Sequence, residues 1–240
     1  MLVTIPKRNP IELISYYDEF AWYYPTCEME TKGWFVDNVQ SVWCIFDIGA
    51  NVGYYTILFS CLAPDGHIFA FEPTSTEAML RANLAHHQVR NVEVHKVAVG
   101  RQPGLREDNI FRIWGNDAER SEYPFVSIDS FVQERKFTKI DCLKIDVDSF
   151  DFEVLQGAVE TLQTYDPYVV VELNHALSRR QQSDAEAMAW LSRHGYSDAL
   201  VLDFDNFVLK RADRRMIVDH SGWTSSLTLH FPRPASQRAE

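Results

Sequence analysis

Asp47, Gly49, Asn51 and Gly53 are the residues whose types and spacing most clearly do chemistry. They close the segment Trp43-Cys44-Ile45-Phe46-Asp47-Ile48-Gly49-Ala50-Asn51-Val52-Gly53-Tyr54-Tyr55. An apolar run ends in an acid, a glycine turn follows, and a helical pattern begins at Tyr54. Such a turn brings backbone N–H groups and a carboxylate up to a nucleotide-like cofactor. The dinucleotide fingerprint GxGxxG is missing, because Asn51 puts a side chain where a pyrophosphate needs bare backbone. This argues against an NAD-dependent oxidoreductase. Asp47 suits a cationic ligand instead, one with an ammonium group and a sulfonium. Glu72, 25 residues further on, ends a second apolar run, where an acid commonly takes ribose hydroxyls.

A second group lies later in the chain. Asp146 closes the apolar run Ile140 to Val147, and Glu172, Asn174 and His175 close the run Tyr168 to Leu173. The two runs are expected neighbours, so Asp146 is expected to face Glu172 and Asn174 across a cleft. Carboxylates and an amide oxygen suit a hard cation, Mg²⁺ or another divalent ion, which makes Asp146, Glu172 and Asn174 the candidate metal ligands. His175 is placed for a general base and Asp146 for a catalytic acid group. Asp151 reads as an acid at a helix N-terminus, favoured by its dipole, while the role of Asp148 is left open.

The elements that must position these groups alternate. Strand-like runs at Ile45–Ile48, His67–Phe71, Val92–Val99, Ile140–Val147 and Tyr168–Leu173 are separated by helical spacing at Tyr54–Ala63, from a capping box at Thr74 and Glu77 to near His87, and through Val154–Leu162. A second capping box, Ser183 and Glu186, opens a helix that stops at Gly195. Residues 101–124 read as a polar loop. Ala199–Leu209 and Ser225–Phe231 read as two late strands. Repeated β-α units imply a mostly parallel sheet covered by helices on both faces. The first forty residues differ, with eight of the chain's 31 aromatics. They read as a helical cap, residues 1–40, set against a main domain, residues 41–240, and some of its rings are expected to wall an acceptor pocket.

Composition excludes several classes. The 240 residues carry 23 basic and 34 acidic side chains, a net charge of −11, the wrong sign for a general nucleic-acid binder. No apolar run is long enough to span a membrane, and Met1 to Pro10 has no secretory h-region. The four cysteines, Cys27, Cys44, Cys61 and Cys142, form no metal-site spacing and read as reduced thiols of a cytoplasmic protein. Association into a homo-oligomer is left open.

Several segments together resemble one known family. Asp47-Ile48-Gly49-Ala50-Asn51-Val52-Gly53-Tyr54-Tyr55-Thr56, Ala70-Phe71-Glu72-Pro73, Val97-Ala98-Val99-Gly100, Lys144-Ile145-Asp146-Val147, Val154-Leu155-Gln156-Gly157-Ala158 and Val171-Glu172 are similar, in order, to the FkbM-type methyltransferases. The resemblance covers about residues 43–175 and leaves out the cap. It implies a class I methyltransferase (Rossmann-like) α/β fold: a mostly parallel seven-stranded sheet, helices on both faces, an antiparallel late strand, and here an aromatic-rich N-terminal cap. It also implies that Asp47, Gly49, Asn51, Gly53 and Glu72, with Tyr54 beside them, bind S-adenosylmethionine. The expected reaction is O-methylation of a hydroxyl on a sugar, polysaccharide or glycosylated natural product, with or without a metal. N-methylation of a small amine is the alternative. The family usually has glutamate at Asp148, glycine at Ser149 and glutamate at Asp151, so this chain departs from the pattern just after Asp146.

Overall fold

The computed structural model describes residues 1–111, 118–211 and 227–230. A short antiparallel ribbon, β1 (Leu2–Val3) and β2 (Ile11–Glu12), a 3-10 turn (Asp18–Trp22) and α1 (Met29–Asn38) open the chain. The main sheet begins with β3 (Cys44–Ile48), and α2 (Tyr54–Leu62), β4 (His67–Phe71), α3 (Glu77–His86) and β5 (Val92–His95) follow. After β6 (Ala98–Val99), β7 (Gly104–Ile110), β8 (Glu119–Val126) and α4 (Ile128–Arg135) come β9 (Cys142–Ile145), α5 (Asp151–Gln156), α6 (Val159–Tyr165) and β10 (Tyr168–Glu172). A 3-10 helix (His175–Arg180), α7 (Asp184–Arg193), β11 (Asp198–Leu202), β12 (Asn206–Lys210) and β13 (Leu227–His230) end the described chain.

The main sheet has the order β13-β11-β12-β10-β9-β3-β4-β5. Its five strands from β5 to β10 pair in parallel, and β12 enters antiparallel between β10 and β11. The sheet has eight strands where seven were expected, because Ala199–Leu209 supplies two, β11 and β12; β13, the expected last strand, is antiparallel to β11. The expected ends of that last strand, Ser225 and Phe231, lie outside the described residues.

Strand pleating sorts the central side chains into two apolar layers. Phe46 and Ile48 point to one layer with Phe131, Leu143 and Leu155. Ile45 points to the other, where Ile57 and Phe59 of α2 meet Trp34 and Phe35 of α1. The first forty residues thus share a core with the main sheet through α2. Their expectation as a helical cap is met only in part, because the ribbon and the 3-10 turn precede the one helix.

Four local expectations need correction. Most of the described residues in the expected loop 101–124 are strand: β7 and β8 pair antiparallel, beside β6. Their sequence looks like a loop because one face is solvated, while Tyr123, Phe125 and Ile110 pack inward with Phe150. Ala199–Leu209 is a hairpin of two strands, reversed at Asp203 and Phe204, both with positive φ. The helix expected through Val154–Leu162 breaks at Gly157, where a Cβ would lie 2.3 Å from the Gly100 carbonyl oxygen. The capping box at Thr74 does not form, because the helix starts at Glu77 with Thr76 as its N-cap; the Thr74 hydroxyl donates to Glu72 at 2.6 Å and accepts from the Thr76 N–H at 3.2 Å. The box at Ser183 and Glu186 does form.

Gly49 is where the central strand meets its neighbours most tightly. Its φ is +84°, and a Cβ there would sit 1.8 Å from the Asp146 carbonyl oxygen. Backbone can give way only by disturbing the pairing of β3 with β9. Gly49→Ala is expected to destabilise the fold by about 2–4 kcal/mol, read as a lower urea midpoint; an unchanged midpoint would contradict this geometry.

Candidate active site

A cavity of about 570 Å³ opens beyond the carboxyl ends of β3, β4, β9 and β10, where open α/β sheets bind ligands. One end is made by the turn after β3 and the end of β4: Gly49, Ala50, Asn51, Tyr54, Glu72 and Pro73. Gly49 and Ala50 donate their N–H groups to the Phe71 carbonyl, both at 3.0 Å, so the turn is stitched to β4. The buried Glu72 carboxylate completes the stitch. It accepts from the Asn51 N–H at 3.0 Å, the Thr74 N–H at 2.9 Å and the Thr74 hydroxyl. A carboxylate has about four acceptor positions, which leaves Glu72 room for a ligand hydroxyl at the cavity wall. Burial lifts its carboxyl above the usual range, and the Thr74 and Asn51 hydrogen bonds oppose the lift.

Asp47 does not face this cavity. It is fully buried, and it shares the face of Ile45 rather than the sheet's end. Its Oδ2 accepts from the Thr56 hydroxyl of α2 at 2.5 Å. Directly opposite on β9 stands Lys144, also buried, its Nζ 3.9 Å from Asp47 Oδ1 and 2.9 Å from Asp146 Oδ2. The cation beside Asp47 is therefore a lysine of the chain, not a ligand. Gly53 likewise stands behind the wall as the left-handed N-cap of α2, packed against Leu80. Burial opposes the Lys144 charge, but Asp146, Asp47 and Glu28 outweigh it and hold the proton above the ordinary lysine range. Removing one partner of such a pair costs about 3–5 kcal/mol.

The other end of the cavity brings together Asp146, Glu172, Asn174 and His175, as expected, with Asp148 and Asp205 beside them. The cation site expected there is not preassembled. Asn174 turns its amide oxygen to the Ala176 N–H at 2.8 Å, capping the 3-10 helix, and Lys144 engages Asp146. Among the described residues no group of three or more His, Cys, Asp or Glu side chains is placed to hold a metal ion. His175 opens the 3-10 helix at the exposed rim. Burial, then Asp146 and Asp151 and other neighbouring acids, raise the Glu172 carboxyl well above its usual range.

The loop after β9 accounts for the departures from the family pattern. Asp148 and Ser149 both take positive φ, 47° and 94°. The glycine usual at Ser149 would suit that conformation without strain. Asp151 holds the loop from within, its carboxylate accepting from the N–H groups of Val147 at 2.9 Å and Ser149 at 3.1 Å. It acts on its own loop more than on the helix dipole. Asp148 lines the cavity.

Sequence reasoning missed the cap's contribution in detail. Phe20, Trp22, Tyr23 and Tyr24 wall the cavity, as the aromatic count suggested, but so do Glu19 and Glu28. Trp34 and Phe35 are plain core. The clue to Glu28 was an acid just before a helix in an otherwise aromatic stretch. Asp205, on the β11–β12 turn, had no signal at all, because its place depends on the hairpin.

An open parallel sheet with this strand order, an antiparallel strand inserted beside its last parallel one, and a glycine turn over the first strand define a Rossmann-like methyltransferase fold. Residues 47–197 match the Methyltransferase FkbM domain. The chain belongs to that family and is a methyltransferase. It is 26% identical over 203 residues to Methyltransferase 1 of Beauveria bassiana, covering 68% of this chain and 82% of that protein. The fold is similar to the crystal structure of an FkbM methyltransferase from Methylobacillus flagellatus (TM-score 0.53, 13% identity, 71% of this chain). The match spans 44% of that protein's length, under half. It is similar too to a putative rRNA-methylase from Clostridium thermocellum (TM-score 0.51, 9% identity, 76% of this chain and 93% of that one). At such identities the likeness is one of fold. Among the described residues no helix is long and apolar enough to cross a membrane.

Burial, with Asp146 next, pushes the Asp148 carboxyl up to about 7, and burial lifts Asp151 to about 7 against its backbone hydrogen bonds. Both lie above the unfolded value near 3.9, so the folded chain binds these protons more tightly. Their contribution to stability is full below about pH 4 and lost as the pH rises through about 7. Asp148→Asn is expected to flatten that fall in urea titrations between pH 4 and 8; an unchanged slope would show that Asp148 titrates normally.

Proposed function

We propose that the chain transfers a methyl group from S-adenosylmethionine to a hydroxyl of a sugar or glycosylated natural product. The observation that carries this reading is the division of one cavity. At one end, a stitched glycine turn and the Glu72 carboxylate offer backbone and ribose-type contacts. At the other, carboxylates and the amide of Asn174 line the cavity together with the rings of Trp22, Tyr23 and Tyr24. Rings of this kind suit the apolar faces of sugars. Gly49, Asn51, Tyr54 and Glu72 would hold the cofactor, while Asp47 and Gly53 shape the turn from behind. The cofactor supplies a methyl group already activated by a sulfonium. The protein's part is then to orient the acceptor oxygen about 3–3.5 Å from the methyl carbon and to take its proton.

In this reading the first forty residues cap the acceptor end, and Asp146, Glu172, Asn174 and His175 border the acceptor. The net charge of −11 favours a small or saccharide acceptor over a nucleic acid, and the free cysteines fit a cytoplasmic enzyme. A second reading, N-methylation of a small amine, is favoured by one feature. Glu19, Glu28, Asp148, Glu172 and Asp205 line the cavity alongside Asp146, and an ammonium group would be drawn to them.

Isothermal titration with S-adenosylhomocysteine tests the cofactor site. Binding is expected for the wild type, and Glu72→Ala is expected to weaken it by about 1–3 kcal/mol. No detectable wild-type binding would sink the reading; an unchanged dissociation constant in the variant would remove Glu72 from the ribose contact.

A further inference from the structure

Glu28 sits where an acid ordinarily faces the N–H groups of its own helix. It is the N-cap of α1, yet its side chain makes no capping bond, and its backbone is left-handed at φ 50°. The capping is done from the other end of the chain. Asp203, in the β11–β12 turn, accepts from the Glu30 N–H at 3.2 Å and the Thr31 N–H at 2.7 Å. Glu28 is thereby released from its helix and lines the cavity. There the Tyr54 hydroxyl, on the first residue of α2, donates to its Oε2.

Of the other cavity acids, Glu19 lines the wall, burial and Asp146 hold Asp148 toward its protonated form, and four more have other ties. Asp146 is engaged by Lys144 at 2.9 Å, Glu72 by the cofactor turn, and Asp205 by Asn174 at 3.5 Å. Glu172 stands among four carboxylates, Asp146, Asp151, Asp205 and Asp148, which together favour its protonated form. Glu28 has a different balance. Asp146 and Lys144 face it from the end of β9, Tyr54 and Tyr55 from α2, Cys27 and Lys32 from its own segment, and Tyr23 and Tyr24 from the cap. Burial and Asp146 raise its carboxyl, while Lys144 and the Tyr54 hydrogen bond favour the ionised form. A general base needs a carboxylate open to the acceptor's proton, and Glu28 lines the cavity.

We propose that Glu28 is the general base of the transfer, an inference that rests on the O-methylation reading above. As the acceptor oxygen forms its bond to the methyl carbon, the carbon–sulfur bond breaks and its electron pair stays on sulfur, which becomes a neutral thioether. The hydroxyl proton passes to a Glu28 carboxylate oxygen. The resulting carboxylic acid returns that proton to water once the methylated product leaves. Glu28 lies outside residues 47–197, the part of the chain shared with the family, so this base belongs to the cap and not to the family domain.

The test uses the full chain, tritium-labelled S-adenosylmethionine and a panel of methyl and phenyl glycosides. Glu28→Gln is expected to lower kcat by about 10²–10⁴-fold, to abolish the acid limb of the kcat/KM pH profile, and to leave S-adenosylhomocysteine affinity unchanged. Tyr54→Phe removes a hydrogen bond to the ionised carboxylate, so it is expected to move that limb to higher pH. Wild-type transfer with Glu28→Gln turning over within about threefold of it, its acid limb intact, overturns the base assignment alone. If Glu28→Gln loses S-adenosylhomocysteine affinity, the Tyr54→Phe profile decides, and an unmoved limb there overturns the assignment. No transfer by the wild type to any hydroxyl in the panel overturns the O-methylation reading, and the base with it.

Discussion

The buried trio of Asp47, Lys144 and Asp146 is the constraint on which the rest of the cavity depends. Asp47 and Lys144 stand opposite each other on the two central strands, on the face toward α2. Neither charge is tolerable alone in that apolar layer. Thr56 holds one side of Asp47, and Lys144 reaches up the strand from Asp47 to Asp146. One ammonium therefore links the sheet's interior to the cavity floor. It holds the Asp146 carboxylate at 2.9 Å, and it spreads its field to Glu28 in the cap. The position of α2, the register of β3 with β9 and the electrostatics of the acceptor end are set together.

Around that link the cavity has two different characters. At the turn end the protein ties its own backbone: Glu72 is clasped by Asn51 and Thr74, and the turn N–H groups of Gly49 and Ala50 are used by Phe71. This end is built before any ligand arrives, which lowers the ordering cost of binding. At the acceptor end, carboxylates crowd against one another and raise each other's proton affinity. That crowding is a standing cost to the fold.

The sheet was legible from the chain because each of its central strands is an apolar run buried on both faces, and β4 begins and ends at the residues read for it. The hairpin β7–β8 was not, because a strand with one solvated face and mixed charges carries no run to read. The glycine turn announced its own conformation, but not the direction of Asp47. Pleat parity does tell that direction: a residue two places from buried Ile45 must share its face. Lys144 belongs to a motif that shows no role for it in sequence, since only the register Asp47 to Lys144 gives it one. Glu28, Asp203 and Asp205 could not be placed at all, because their meeting depends on a turn some 175 residues away from α1.

That meeting has a consequence in time. The β11–β12 turn supplies both the cap of α1, through Asp203, and part of the cavity wall, through Asp205. During synthesis, α1 emerges early, its first N–H groups left to water while β3 to β10 are made. Only when the late hairpin leaves the ribosome and docks beside β10 does α1 gain its anchor and Glu28 its orientation. The nascent chain can therefore assemble its cofactor turn well before it can close its acceptor pocket.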